Sequence, residues 1–181
     1  MKAKRVYQSI FLASGVMTLL LLSRPTWKTI IGGLPLVIIG ETVRIWAAGH
    51  LERNRNLTTS GPYAYLRDPL YLGRLLLLVG FSIMAGGHGW ILMVVGLGVF
   101  FFHYMPRKYH KEISRLEKIF GEEYKKYASS TRSLIPRLSP YPGAEEKRWN
   151  FTLFWSENRE QYLLSGVLLL TATLILRVIG L

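Results

Sequence analysis

Cysteine is absent from the 181 residues. That excludes disulfide staples, thiolate metal sites and a cysteine nucleophile. Acidic residues are scarce: 11 Asp and Glu stand against 23 Lys and Arg, leaving a net charge of +12. Only four histidines occur, His50, His88, His103 and His110, and they show no metal-ligand spacing such as His-Glu-x-x-His. No Walker-type loop, dinucleotide fingerprint or Gly-x-Ser-x-Gly is present, which argues against nucleotide hydrolysis and serine hydrolysis. No internal repeat or low-complexity segment interrupts the chain.

Charge itself is missing from long stretches. Val6 to Ser23 carries none across 18 residues, Leu75 to Pro106 none across 32, and Gln161 to Leu176 none across 16. About 17–25 apolar residues suffice to cross a bilayer as a helix. A soluble domain of this size has no core able to bury three such runs. The expected fold class is therefore all-α, a single domain over 1–181: a polytopic membrane protein with about five transmembrane helices and a cytoplasmic helix and loop region.

The expected spans are 6–23, 29–49, 69–85, 90–105 and 161–178. The first follows a basic start and lacks a clear small-x-small cleavage site, so it reads as a retained span. Pro25 helps to end it, because a proline disfavours helix in the residue before it. Pro69 suits the first turn of the third span, where its missing N–H costs nothing. Ala85-Gly86-Gly87-His88-Gly89 breaks the longest run near its middle and predicts a tight helical hairpin. A charged helix over 107–128, interrupted at Gly121, is expected outside the membrane, followed by a mostly irregular stretch to residue 160.

An excess of positive charge raises nucleic acid as a partner, but the placement of the charge argues otherwise. Residues 106–160 hold 12 of the 23 Lys and Arg, next to span ends. Such residues gather on the cytoplasmic side, where they resist translocation and meet anionic headgroups. With the N-terminus inside, 18 Lys and Arg fall on inside segments and two, Arg24 and Lys28, on outside loops. The expected localisation is an integral membrane protein of a prokaryotic inner membrane, N-terminus in, with the polar loops cytoplasmic.

Three groups of residues stand out for chemistry. The stretch Gly61-Pro62-Tyr63-Ala64-Tyr65-Leu66-Arg67-Asp68-Pro69-Leu70-Tyr71-Leu72-Gly73 runs from a turn into an apolar helix. Its tyrosines offer flat faces and hydroxyls for an aromatic or cationic ligand. An interfacial aromatic belt with a snorkelling Arg67 accounts for the same residue types. The segment from Glu112 to Tyr127 places Ile113, Leu116 and Phe120 on one helical face, with Glu112 beside it. An amphipathic helix lying on the membrane explains that pattern equally. Glu41 and Arg44, one helical turn apart inside a span, are expensive there and face a cavity or each other. Arg74 is a similar case in the third span.

The first of these stretches resembles the leading motif of the isoprenylcysteine carboxyl methyltransferase family and its phospholipid methyltransferase relatives. In that family the motif usually reads Gly-Pro-Tyr-x-x-x-Arg-His-Pro-x-Tyr-x-Gly. A second motif, usually Glu-Glu-x-x-Leu-x-x-x-Phe-Gly-x-Glu-Tyr-x-x-Tyr, is similar to Glu112-Ile113-x-x-Leu116-x-x-x-Phe120-Gly121-x-Glu123-Tyr124-x-x-Tyr127. The resemblance covers about 30–140 and leaves the helix about 161–178 as an addition. It implies S-adenosylmethionine as methyl donor, bound at the cytoplasmic ends of the third and fourth spans. By position, Tyr63, Arg67, Asp68, Pro69, Tyr71 and Glu112 fall at donor-site positions. It implies a membrane lipid or lipidated small molecule as acceptor, entering from the bilayer. A carboxylate acceptor needs no base and would pair with Arg44 or Arg74; an amine acceptor needs one, with Glu112 or Glu41 as the candidates. A phospholipid N-methyltransferase and a non-catalytic lipid- or partner-binding protein of the same fold remain the alternatives. Asp68 stands where the family usually has His, and Ile113 where it has a second Glu.

Overall fold

The computed structural model describes residues 14–53 and 55–180, with the side chain of Lys108 left aside. Residues 14–22 are helical (α1), followed by α2 (Trp27–Ala48), α3 (Pro69–Ala85), α4 (Gly89–Gly98), α5 (Met105–Ser130) and α6 (Gln161–Ile179). Among the described residues there is no strand, only one bridge between Arg24 and Gly86. Residues 6–13 of the expected first span lie outside the described residues.

Helix α2 starts in a capping box, in which Thr26 and Thr29 satisfy each other's backbone N–H groups. This reciprocal arrangement fills two donors that a helix start otherwise leaves unpaired. Helix α3 starts at Pro69 as expected, with Asp68 at the cap position. It ends at the predicted hairpin, where Gly86 (φ 59) and Gly87 (φ 49) take conformations closed to most side chains. Arg24 N donates to Ala85 O at 2.8 Å, so the chain entering α2 is stitched to the same turn.

The core of the molecule is the antiparallel seam between α2 and α3. Gly33 faces Gly80 and Gly40 faces Gly73, two pairs seven residues apart on each helix. A Cβ on Gly40 would stand 2.9 Å from Gly73 O, and one on Gly73 would stand 2.7 Å from Gly40 O. In lipid there is no hydrophobic drive to bring helices together, so close backbone approach and dispersion must do it. Small residues at these four positions allow that approach. Val37, Leu77, Phe81 and Met84 fill the spaces between, and Leu174 of α6 closes the cluster.

Among the described residues, three helices are long and apolar enough to cross a membrane: Trp27–Ala48, Gly89–Ser130 and Gln161–Ile179; Pro69–Ala85 is apolar but has 17 residues. The expected fourth span and the expected charged helix are joined. A π-helical turn, Val99–Tyr104, carries α4 into α5 as one 42-residue helical stretch. Pro106 explains the widening: it has no N–H to give to the carbonyl four residues back. The turn closes with Met105 N donating to Phe100 O instead. The stretch after Ser130 is irregular as far as Asn150, then makes a short helical turn through Leu153–Glu157 before α6.

Candidate functional site

A cavity of about 360 Å³ opens between the polar loop before α3, the start of α3 and the inward face of α5. Tyr63, Arg67, Asp68, Pro69, Tyr71, Arg74 and Glu112 all line it, so residues from both sequence motifs meet at one place. Its size falls in the range of about 300–1,000 Å³ typical of small-molecule sites.

The loop side is built by hydrogen bonds from the segment beyond α5. Gly61–Ala64 forms one 3₁₀ turn that starts at Gly61 (φ 58). Gly61 has no alternative, because the ring of His50 packs where a Cβ would sit. His50 Nδ1 is 3.1 Å from Ser60 Oγ, and burial lowers the histidine's pKa, which favours the neutral ring. Arg67 N donates to Arg132 O at 2.9 Å and Asp68 N to Ser133 O at 3.1 Å. Tyr127 OH donates to Tyr63 O at 2.7 Å. Burial pushes the Tyr63 hydroxyl far up, so it stays protonated and acts as a neutral group.

The charged end pairs internally. Arg67 Nε lies 3.6 Å from Asp68 Oδ2, its Nη2 donates to Tyr109 OH at 3.0 Å, and Ser133 Oγ donates to Asp68 Oδ2 at 2.6 Å. Burial disfavours the Arg67 charge, but the Tyr109 hydroxyl and Asp68 more than offset it, so its pKa moves up. The Arg67 guanidinium also stands 5.4 Å from the Tyr109 ring centre. Asp68 thus brings a carboxylate to the cavity, a group able to accept from an ammonium.

Arg74 is held one turn deeper. Its guanidinium lies 5.3 Å from the Tyr71 ring and 5.8 Å from the Tyr104 ring, and Nη1 donates to Tyr104 OH. The electron-rich faces of the two rings attract the guanidinium. The opposite wall comes from α5. Tyr109, Glu112, Ile113, Leu116, Phe120 and Tyr124 line the cavity at helical spacing. The helix breaks at Gly121 (φ 53, ψ −126), which redirects it so that Tyr124 and Tyr127 still pack against Leu57 and Tyr141.

Two expectations are corrected. Arg44 does not line the cavity: it is 1% exposed, its Nη1 donates to Leu70 O at 2.9 Å, and its Nη2 pairs with Glu160. Of the two readings for Glu41 and Arg44, a cavity or each other, Glu41 meets neither: it does not line the cavity and makes no ion pair with Arg44. Glu160, at the cap position of α6, takes Nη2 of Arg44, and the Glu41 carboxylate is left buried without a hydrogen bond. Tyr104, Tyr109 and Ser133 were not foreseen. Tyr109 was within reach of the pattern, since it sits four residues before Ile113 on the same helical stripe. Ser133 carried no signal, being 65 residues from Asp68.

Arg53, Arg67, Arg74 and Arg115 set against Glu52, Asp68 and Glu112, with several ring faces among them, suit a small ligand that carries both charges and an aromatic part. Comparison with known proteins bears on the identity of such a site. A curated relative in Cupriavidus metallidurans, cobalt-zinc-cadmium resistance protein CzcN, is 33% identical over 119 residues, covering 65% of this chain and 51% of that protein. A probable protein-S-isoprenylcysteine O-methyltransferase of Oryza sativa subsp. indica is 30% identical over 122 residues, covering 61% and 62%. Protein-S-isoprenylcysteine O-methyltransferase A of Arabidopsis thaliana is 31% identical over 116 residues, covering 58% and 57%. The chain spans between about half and three fifths of the length of these relatives. No solved structure matches. The family model for phospholipid methyltransferases matches residues 28–123, more than half of the chain and most of the cavity's lining, and the chain belongs to that family.

Proposed function

We propose that the protein is a membrane-embedded methyltransferase that uses S-adenosylmethionine to methylate a lipidic or amphiphilic acceptor. The observation that carries this reading is the meeting of the two motifs, 61–73 and 112–127, around one cavity beside the apolar helices. Family membership supports the reaction class.

The donor supplies an already activated methyl on a sulfonium, which passes to a nucleophilic oxygen or nitrogen while the S–C bond breaks and the thioether leaves. The protein's share is positioning and exclusion of water. Arg67 is oriented by Tyr109 and Asp68 to receive a carboxylate. Asp68 and Glu112 are placed to accept from an ammonium. The rings of Tyr63, Tyr71 and Tyr104 offer faces to a cation or an adenine. Arg74, one turn along α3 from Leu70, is suited to hold an anionic acceptor group, whereas an amine acceptor would lose its proton to Glu112. Isoprenylcysteine-like carboxylates fit the first case and phospholipid amines the second.

We place the cavity on the cytoplasmic face with the N-terminus inside, on the strength of the 18-to-2 distribution of Lys and Arg. A reporter fused after Leu181 is expected outside and one inserted near Gly143 inside; the reverse pair breaks this orientation. The direct test of function is calorimetry with S-adenosylhomocysteine on the purified full chain. Saturable binding is expected, and its absence favours a non-catalytic protein that keeps the fold. Lipid profiling of expressing cells should reveal a species heavier by one methylene.

A further inference from the structure

Residues 149–160 lie beyond the stretch matched by the family, yet they close the carboxyl end of α2. The last carbonyls of a helix have no partner within it. Here Trp149 Nε1 donates to Ile45 O at 3.0 Å, and Asn150 N to Gly49 O at 2.9 Å. Asn158 Nδ2 donates to both Ala48 O and Leu51 O, each at 2.9 Å. Arg159 then takes a left-handed backbone conformation, φ 54, which a bulky side chain disfavours. That joint turns Glu160 inward, where it is buried against Arg44.

Arg44 serves two elements at once. One arm of its fork holds Glu160, and the other holds Leu70 O. Leu70 lies between Pro69 and Tyr71 and lines the cavity itself. The sequence makes room for this reach at Gly73, where a Cβ would collide with Arg44 Cγ. A competitor stands close by. Glu41 is one turn away on the same helix, its carboxylate buried and without a hydrogen bond. Were Glu160 missing, the guanidinium would find its compensating charge at Glu41, and turning there would take it off the Leu70 carbonyl.

We propose that Glu160 is a positioning residue: by drawing Arg44 away from Glu41 it keeps the guanidinium on Leu70 and so sets the first turn of α3 at the donor cavity. The proposal rests on the donor reading given above. It makes the lead into α6, outside the matched family region, part of the working site.

The test measures S-adenosylhomocysteine affinity by calorimetry on the full chain, with thermal unfolding recorded in parallel. Glu160→Gln keeps an acceptor oxygen for Arg44 and should bind within about threefold of wild type. Glu160→Leu releases Arg44 and should bind about tenfold more weakly at a temperature where it is still folded. Arg44→Lys keeps the buried charge, but one ammonium cannot reproduce the two directions of the fork. It should melt near wild type and bind about fivefold more weakly. Glu160→Leu and Arg44→Lys that bind as wild type does, whatever their melting points, overturn the proposal and leave a merely structural pair. If Glu160→Leu does not fold, Arg44→Lys decides alone. Wild type that does not bind overturns the donor reading, and this inference falls with it; wild type that binds while the variants are unaffected sinks this inference only.

Discussion

On one side of the cavity, α2 and α3 meet backbone to backbone, and a Cβ on Gly33, Gly40, Gly73 or Gly80 would land against the facing helix. On the other side, α5 reaches the cavity with a single stripe of side chains, and a Cβ on Gly121 would meet nothing within 4 Å. The first wall has no slack, and any added atom must displace a helix. The second is held by side-chain contacts on both sides of one backbone joint. The difference separates two jobs: the glycine seam sets where Pro69, Tyr71 and Arg74 stand, while α5 brings Glu112 and the aromatic stripe over them.

The comparison is broken most severely by filling the seam. Gly73→Val puts methyl groups against Gly40 O and the Arg44 side chain, and overpacking of this kind costs about 1–3 kcal/mol or more. The expected outcome is a large loss of folded, monodisperse protein in detergent, read by thermal unfolding and gel filtration. A Gly73→Val protein that melts as wild type does would mean that the seam has slack after all.

On the α5 side the fold should survive while binding suffers. If Glu112 contacts the donor as proposed, Glu112→Gln removes one charge-assisted contact, worth about 1.5–3 kcal/mol, or roughly ten- to a hundredfold in affinity. Glu122→Gln, on the exposed part of the same helix where Lys125 pairs with it at 2.7 Å, is the control. Equal small effects on S-adenosylhomocysteine affinity from both would return Glu112 to an ordinary amphipathic surface.

Asp68 sits where the two walls meet, tied to Arg67 on its own side and to Ser133 from beyond α5. Asp68→Leu should weaken S-adenosylhomocysteine binding about tenfold, since it leaves the donors of Ser133 and the ligand unpaired. Asp68→Asn, which keeps an acceptor oxygen, should hold most of the affinity. Asp68→His restores the residue usual in the resembling family and should bind at least as well as Asn. Leucine as good as aspartate would remove this residue from the site.

The smallest effect sharpens the comparison rather than breaking it. Gly121→Ala adds a methyl group into open space, so any change comes from the backbone alone, at φ 53 and ψ −126. Holding an alanine there costs about 1 kcal/mol at the low end of such strain, roughly a fivefold loss in donor affinity if the joint relaxes. Unchanged affinity would show that the bend of α5 is dispensable for the cavity.

Much of the frame was legible before any coordinates. Helix α3 begins and ends where Pro69 and the Gly86-Gly87 pair predict, because both are local backbone constraints that act within a few residues. The break at Gly121 was legible for the same reason. The continuous run from α4 into α5 was not, since a π-helical turn absorbs Pro106 without ending the helix. The α2–α3 seam went unseen, although its glycines recur at intervals of seven. A repeat on each helix reveals a pairing only once the two helices are known to be antiparallel neighbours.

By itself, the sequence determined that this protein is helical and rich in membrane-length apolar helices, and it singled out the two motifs that line the cavity, because charge, periodicity and turn residues act locally. Only the tertiary structure decided the partners of those residues. It brought Glu112 beside the 61–73 loop, tied Asp68 to Ser133, and turned Arg44 from Glu41 one turn away to Glu160, 116 positions along the chain. A guanidinium takes whichever acceptors the packing of helices brings within reach, and closeness in sequence does not decide which those are.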